Sequence, residues 1–285
     1  MDIRKIFPQT VQEVSTLRER LIITAKIQGW TESKITAVFS NVPNVLLDSL
    51  AFLDKLTGLW RYEFGIPFNI NGRLYWGTHM WIQVAHIFSV LECMSRRLTS
   101  EQQKFYLNRL ADIEKHLDVL FEMIPAIHTS NEVKMDFEVV GLGSGNTDVD
   151  WVLNPLNQRR VLIDVKRRVI DFIFHASAMD ESGHLTEPDH EPKLLFKSIE
   201  KKFKEMSPDI QLQGAWINTI IKQDISRLVK DFYQLDSKKV HFIILGDWKK
   251  DALILTQKNE DRLYLRHLFS LEESERFTFM SIKPD

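Results

Sequence analysis

The sequence predicts a mixed α/β protein, with a helical N-terminal region followed by an αβββαβ core. Three observations predict it. Apolar residues recur at helical spacing through much of the first 124 residues. From residue 133 the pattern changes to three short runs rich in β-formers, 133–143, 148–154 and 159–168. A further helical region then leads to KKVHFIILGDW (238–248), the strongest strand signal in the chain.

The elements follow in order. TVQEVSTLRERLIITAKIQG carries Val14, Leu17, Leu21 and Ile22 on a helical face and stops at Gly29. TESKITAVFSN begins a second helix with Thr31 as cap. PNVLLDSLAFLDKLTG predicts a third, from Pro43 to Gly58. Asn71-Gly72 is a hairpin signal. One helix spans about 79–97, and another opens at Thr99 or Ser100, with Gln102 or Gln103 closing a capping box, and ends before Pro125. The three short runs, joined by GSGNT and NPLNQ, read as an antiparallel meander. ASAMDESGHLTEPDHEPK reads as an exposed polar loop, and AWINTIIKQDISRLVKDFY as a helix with Ile217, Ile221, Leu228 and Phe232 on one face. The last stretch reads as one helix and one strand. The division is a helical domain over 1–98 and the αβββαβ domain over 99–285.

Composition narrows the function. Net charge is −2, so the molecule is no polycation, and any nucleic-acid contact requires a local basic patch. The single cysteine, Cys93, excludes an internal disulfide and a cysteine zinc cluster. MDIRKIFPQTVQEV lacks a signal-peptide pattern. No apolar run reaches the ~20 residues that cross a bilayer. The most apolar stretch, MWIQVAHIFSVLECM, is interrupted by Gln83, His86 and Glu92. The expectation is a soluble, cytoplasmic protein with no membrane partner.

Chemistry concentrates in RRVLIDVKRR. Strand side chains alternate faces, so Asp164 and Lys166 share one face. Asp148 and Asp150 likewise share a face on the preceding run, and hairpin pairing brings Asp150 to Asp164. Two adjacent carboxylates repel and call for a cation between them, and Mg²⁺ is the usual ion beside phosphates. Lys166 then orients a water or stabilises phosphorane charge. Taken alone, an Asp and a Lys two apart are usually a solvated face, with an ion pair worth about 0–1 kcal/mol. The flanking VLI marks the strand as interior, however, and a second acid pair stands on the preceding strand.

GSGNTDVDWVLNPLNQRRVLIDVKRR resembles the core signature of the PD-(D/E)XK nuclease superfamily, with Asp150 as the first acid, Asp164 as the second and Lys166 as the lysine. The resemblance covers about residues 99–248 and implies a restriction-endonuclease-like fold. It also implies Mg²⁺-dependent hydrolysis of DNA, with Mn²⁺ as substitute and Asp150 and Asp164 as metal ligands. Val149 stands where the family often has Pro, which makes Asp148 a rival. Asp150 is preferred, and Asp148 then supports the ligand or only opens the strand. Many members carry a glutamate on the preceding helix. Glu114, inside the stripe of Leu110, Leu117 and Phe121, fits better than Glu122, though a rim glutamate paired with Lys115 is the plain alternative. Glu138, Gln211 and Gln213 are weaker candidates.

Arg159, Arg160, Arg167 and Arg168 bracket the strand, either to clamp DNA phosphates or simply to solubilise its ends. Lys197, Lys201, Lys202 and Lys204 offer a second backbone contact. The histidines lack metal-binding spacing, GLGSG lacks the ending of a phosphate loop, and Trp60, Trp76 and Trp81 read as core packing. The leading expectation is a metal-dependent DNA endonuclease whose N-terminal helices serve recognition, regulation or homodimerisation. The alternatives are a non-catalytic interaction protein on the same scaffold, and a helical adaptor whose N-terminal domain carries the biology.

Overall fold

A computed structural model describes residues 10–42, 68–70, 73–75, 84–111, 116–167, 192–218, 225–246 and 250–273. These fall into two compact units, one up to Leu120 and one from Phe121 onward. The helix expected from Pro43, the tryptophans Trp60, Trp76 and Trp81, His79 and the polar stretch 176–191 lie outside the described residues.

In the first unit, α1 (Thr10–Ile27) and α2 (Glu32–Phe39) meet at a turn that Gly29 makes with a φ of 78°. Thr31 caps α2 by accepting the Lys34 N–H at 3.3 Å. Trp30 packs on Phe39 and Phe88 with ring centroids 6.2 and 5.2 Å away. Strands β1 (Phe68–Ile70) and β2 (Arg73–Tyr75) pair antiparallel with Ile70 opposite Arg73, as the Asn71-Gly72 signal predicts. Helix α3 covers Val84–Arg97. Helix α4 (Ser100–Leu110) opens with a capping box between Thr99 and Gln102. The single helix expected to 124 is instead followed by two short segments, α5 (His116–Phe121) and α6 (Ile124–His128). Pro125 sits in the first turn of α6, where its missing N–H costs nothing. Among the described residues, no helix is long and apolar enough to cross a membrane.

The second unit is a mixed sheet of six strands with a two-residue edge strand. The strands are β3 (Lys134–Val139), β4 (Val149–Asn154), β5 (Arg160–Arg167), β6 (Gln211–Asn218), β7 (Phe242–Leu245), β8 (Asp251–Thr256) and β9 (Glu272–Glu273), in that spatial order. The first three form an antiparallel meander. Strands β5, β6 and β7 run parallel, so each needs a crossover. Helices α7 (Pro192–Lys202) and α8 (Ile225–Tyr233) lie along those connections, and α9 (Asn259–Leu268) follows β8.

Of the helix expected over 215–233, residues 225–233 are helical as α8, whereas residues 211–218 are the central strand β6. Residues 211–217 are buried on both faces, so they show the continuous run of a parallel strand rather than alternation, which is easily read as helix. Gly214 is required there. A Cβ would overlap the carbonyl of Phe242 on β7.

The sheet has two packed faces. On one, Val152, Leu162 and Ala215 meet Phe196 and Ile199 of α7 and Phe232 of α8. On the other, Trp151 donates its indole N–H to the Glu122 carbonyl at 2.5 Å, and Trp216 stacks on His128 at 5.4 Å. Leu162, two residues before Asp164 on β5, lies in the face under α7, which places the acid at the edge of that contact.

Candidate active site at the end of strand β5

Strand register assembles the site. Phe137 stands opposite Trp151, and Trp151 opposite Ile163. One step along, Glu138, Asp150 and Asp164 therefore fall in one row across β3, β4 and β5. The bonded ladder between β4 and β5 ends at Trp151 and Ile163. Beyond it the Asp150 carboxylate takes over, and its Oδ2 accepts the Val165 N–H at 2.5 Å.

Asp164 is 1% exposed, and a carboxylate so buried needs compensating charge. It receives two ammonium groups. Lys166 Nζ lies 2.7 Å from Oδ2, and Lys202 Nζ lies 3.2 Å from Oδ1. Neither oxygen has a hydrogen-bond partner of good geometry, so both contacts are ion pairs. The lysine side chains are 34% and 23% exposed, so the cluster opens to solvent on the lysine side.

Asp150 is half-buried and titrates unusually. Burial and then the Asp164 carboxylate push its pKa from the ordinary 3.8 up to about 7, and Glu138 adds to the rise. The Val165 N–H and the Lys166 ammonium act in the opposite direction. Glu138 adopts a left-handed backbone with a φ of 51°, a conformation that costs a non-glycine residue roughly 1–2 kcal/mol.

The flanking loop docks on the end of α7. Lys204 Nζ donates to the Gly141 carbonyl at 3.1 Å. The Gly143 N–H bonds the Thr147 carbonyl at 2.8 Å. A Cβ on Gly143 would stand 3.0 Å from the Lys202 carbonyl oxygen, so glycine permits the close approach. The GLGSG stretch is thus a turn joining two strands.

Other residues singled out in the sequence have different placements. Asp148 is exposed and precedes β4. Arg167 pairs with Asn218 in the ladder, while Glu114 and Arg168 lie outside the described residues. Arg159 and Arg160 open β5, roughly 13–16 Å of strand from Asp164. The Arg159 guanidinium is committed to Asp261 at 2.6 Å and the Pro208 carbonyl at 3.0 Å. The Tyr264 hydroxyl donates to the Arg159 carbonyl at 2.9 Å, so this residue fastens α9 to the sheet. Of the lysines beyond Lys202, Lys197, Lys201 and Lys204 are exposed.

Gln211 and Gln213 open β6, opposite Arg160 and Leu162, in a buried network. Gln211 Nε2 donates to Gln213 Oε1 at 3.0 Å, and Gln213 Nε2 donates to the Lys239 carbonyl at 2.9 Å. His241 Nδ1 accepts the Gln213 N–H at 3.2 Å, and Nε2 faces the Met206 carbonyl at 3.1 Å. That pattern requires a neutral ring with its proton on Nε2. Burial holds the imidazole below its ordinary value of 6.5, against the Met206 carbonyl, which favours the charged ring.

These two shifts set opposite pH dependences. Asp150, raised on folding, stabilises the ion-free protein below about 3.8, and that contribution is lost as pH rises through about 7. His241, depressed on folding, stabilises above 6.5, and that contribution is lost as pH falls. Urea midpoints between pH 4 and 8 separate them. Asp150→Asn gains stability relative to wild type as pH rises, whereas His241→Gln loses the acid-side decline.

Among the described residues, no three His, Cys, Asp or Glu side chains stand ready to hold a metal ion. Mg²⁺ needs only one or two carboxylates, with water and phosphate oxygens completing its shell. Asp150 and the buried Asp164, whose oxygens face cations without true hydrogen bonds, fit that donor set once the ammonium groups yield. Sequence reasoning placed Asp164 and Lys166 together and treated Lys202 only as a backbone contact. Its signal was position, because Lys202 follows Ile199 by three residues on the inward side of α7. Comparison with family models, curated proteins and solved structures finds no match to this chain.

Proposed function

We propose that the protein is a metal-dependent nuclease acting on DNA phosphodiester bonds, with its active site at the C-terminal end of β5. The observation that carries this reading is the buried Asp164 carboxylate, gripped by Lys166 and flanked by Asp150 in the next strand. The strand order also supports it. A meander, then a helix, then a strand parallel to the third member follow the element order that the resemblance calls for. Asp150 and Asp164 would hold Mg²⁺ or Mn²⁺, which supplies charge neutralisation and a more acidic water. Lys166, 2.7 Å from Asp164, keeps its ammonium at the mouth of the site, where it orients the attacking water and offsets charge on the pentavalent phosphorus.

The test is incubation of the purified chain with single- and double-stranded DNA and RNA in Mg²⁺ or Mn²⁺. Cleavage of DNA is expected, and Lys166→Ala should reduce it by about a hundredfold or more with the circular dichroism unchanged. A protein inert on every substrate in both metals overturns the reading. In that case the non-catalytic interaction role gains, and the self-neutralised Asp164 with its two lysines is the observation that favours it.

A further inference from the structure

We infer that Lys202 is a second functional lysine, which guards Asp164 while the site is ion-free and transfers to the substrate phosphate when a divalent ion binds. The inference rests on the metal-dependent reading and adds to it a residue outside the acid-x-lysine motif.

Four observations carry it. Lys202 Nζ faces Asp164 Oδ1 at 3.2 Å, leaving Oδ2 to Lys166, so the two ammonium groups cover both oxygens. An ion taking Asp164 as ligand must displace at least one of them, because cations at contact distance repel. Lys202 also enters from a different element than Lys166. Its backbone is held where Ile199 and Phe203 are fully buried and where Gly143 approaches its carbonyl. The helix end therefore stays in place while the four-carbon stem swings its head group.

The charges close only with both lysines. Glu138, Asp150 and Asp164 are three acids in one row. With a divalent ion, one phosphodiester and Lys166 alone, the cluster keeps one surplus negative charge. Lys202 cancels it, and an uncancelled charge beside the buried Asp164 is disfavoured. Finally, the Lys202 side chain is 23% exposed, so its head group can reach solvent. The nearest new anion for the displaced ammonium is the phosphate beside the ion.

The test uses the full chain with Lys202→Met, which keeps the stem, and Lys202→Arg, which keeps the charge. Mn²⁺ affinity without DNA is read by titration calorimetry. Lys202→Met should bind about tenfold tighter, since a competing cation is gone, and Lys202→Arg should resemble wild type. Binding of a 20-base-pair duplex in Ca²⁺ is read against salt. Lys202→Met should bind more weakly, with its log–log salt slope reduced by about one. Unchanged Mn²⁺ affinity or an unchanged salt slope in Lys202→Met overturns the inference. Wild type that binds Mn²⁺ and duplex without cleaving it overturns the nuclease reading alone, because both binding measurements still decide the role of Lys202. Absence of Mn²⁺ binding in every form overturns both.

Discussion

Asp164→Asn is expected to abolish divalent-ion binding and DNA cleavage while leaving the fold nearly as stable as wild type. The two effects separate for a physical reason. The amide keeps the shape of a side chain that is 1% exposed, so no cavity forms. It removes the charge on which Lys166 and Lys202 converge. Truncating one partner of a buried ion pair usually costs about 3–5 kcal/mol, because the other charge is stranded. Here both ammonium groups reach water through their exposed sides, and the burial cost of the carboxylate is itself relieved. The net change in stability is expected within about 1 kcal/mol. Activity has no such escape. An amide is a poor ligand for a hard ion, and cleavage should fall by about a hundredfold or more. Single-turnover cleavage beside urea denaturation checks both halves. A variant that cleaves like wild type removes Asp164 from the chemistry.

Gly214→Ala is expected to produce the largest loss of stability from a single methyl group. The added Cβ overlaps the Phe242 carbonyl oxygen and lies 2.9 Å from its carbon, and both belong to the neighbouring strand β7. Strand β6 is hydrogen-bonded on both sides, to β5 and β7, so it cannot move away without breaking a ladder. A loss of about 3 kcal/mol or more is expected. Gly145→Ala is the control. It has a φ of 63° and nothing within 4 Å of the added Cβ, so only backbone strain of about 1 kcal/mol applies. Equal urea midpoints for the two variants would overturn the packing argument.

Much of the second unit was legible because its early strands announce themselves. The meander is written in three β-rich runs with turn residues between them, and it folds with those runs paired in order. The capping box at Thr99 and Gln102 was similarly local. Strand β6 was misread because Gln211–Asn218 is buried on both faces. A parallel strand surrounded by other strands has no polar side, and its period-2 signature disappears. Arg159 shows the opposite limit. Its place in the sequence beside an acid-bearing strand suggested phosphate, yet its guanidinium belongs to Asp261, 102 positions away in the chain, at 2.6 Å.

Alternation along an extended chain is local geometry. It alone put Asp164 and Lys166 on one face, and it offered Asp150 as the acid of the preceding strand. Which charges share the pocket was a question of packing. Helix α7 delivers Lys202 to Asp164 Oδ1 from 38 residues downstream, and a left-handed Glu138 joins the row from β3. Neither follows from periodicity, because the position of a crossover helix over its sheet depends on contacts among residues far apart in the chain. The raised pKa of Asp150 likewise arises only when burial and a second carboxylate act on it together.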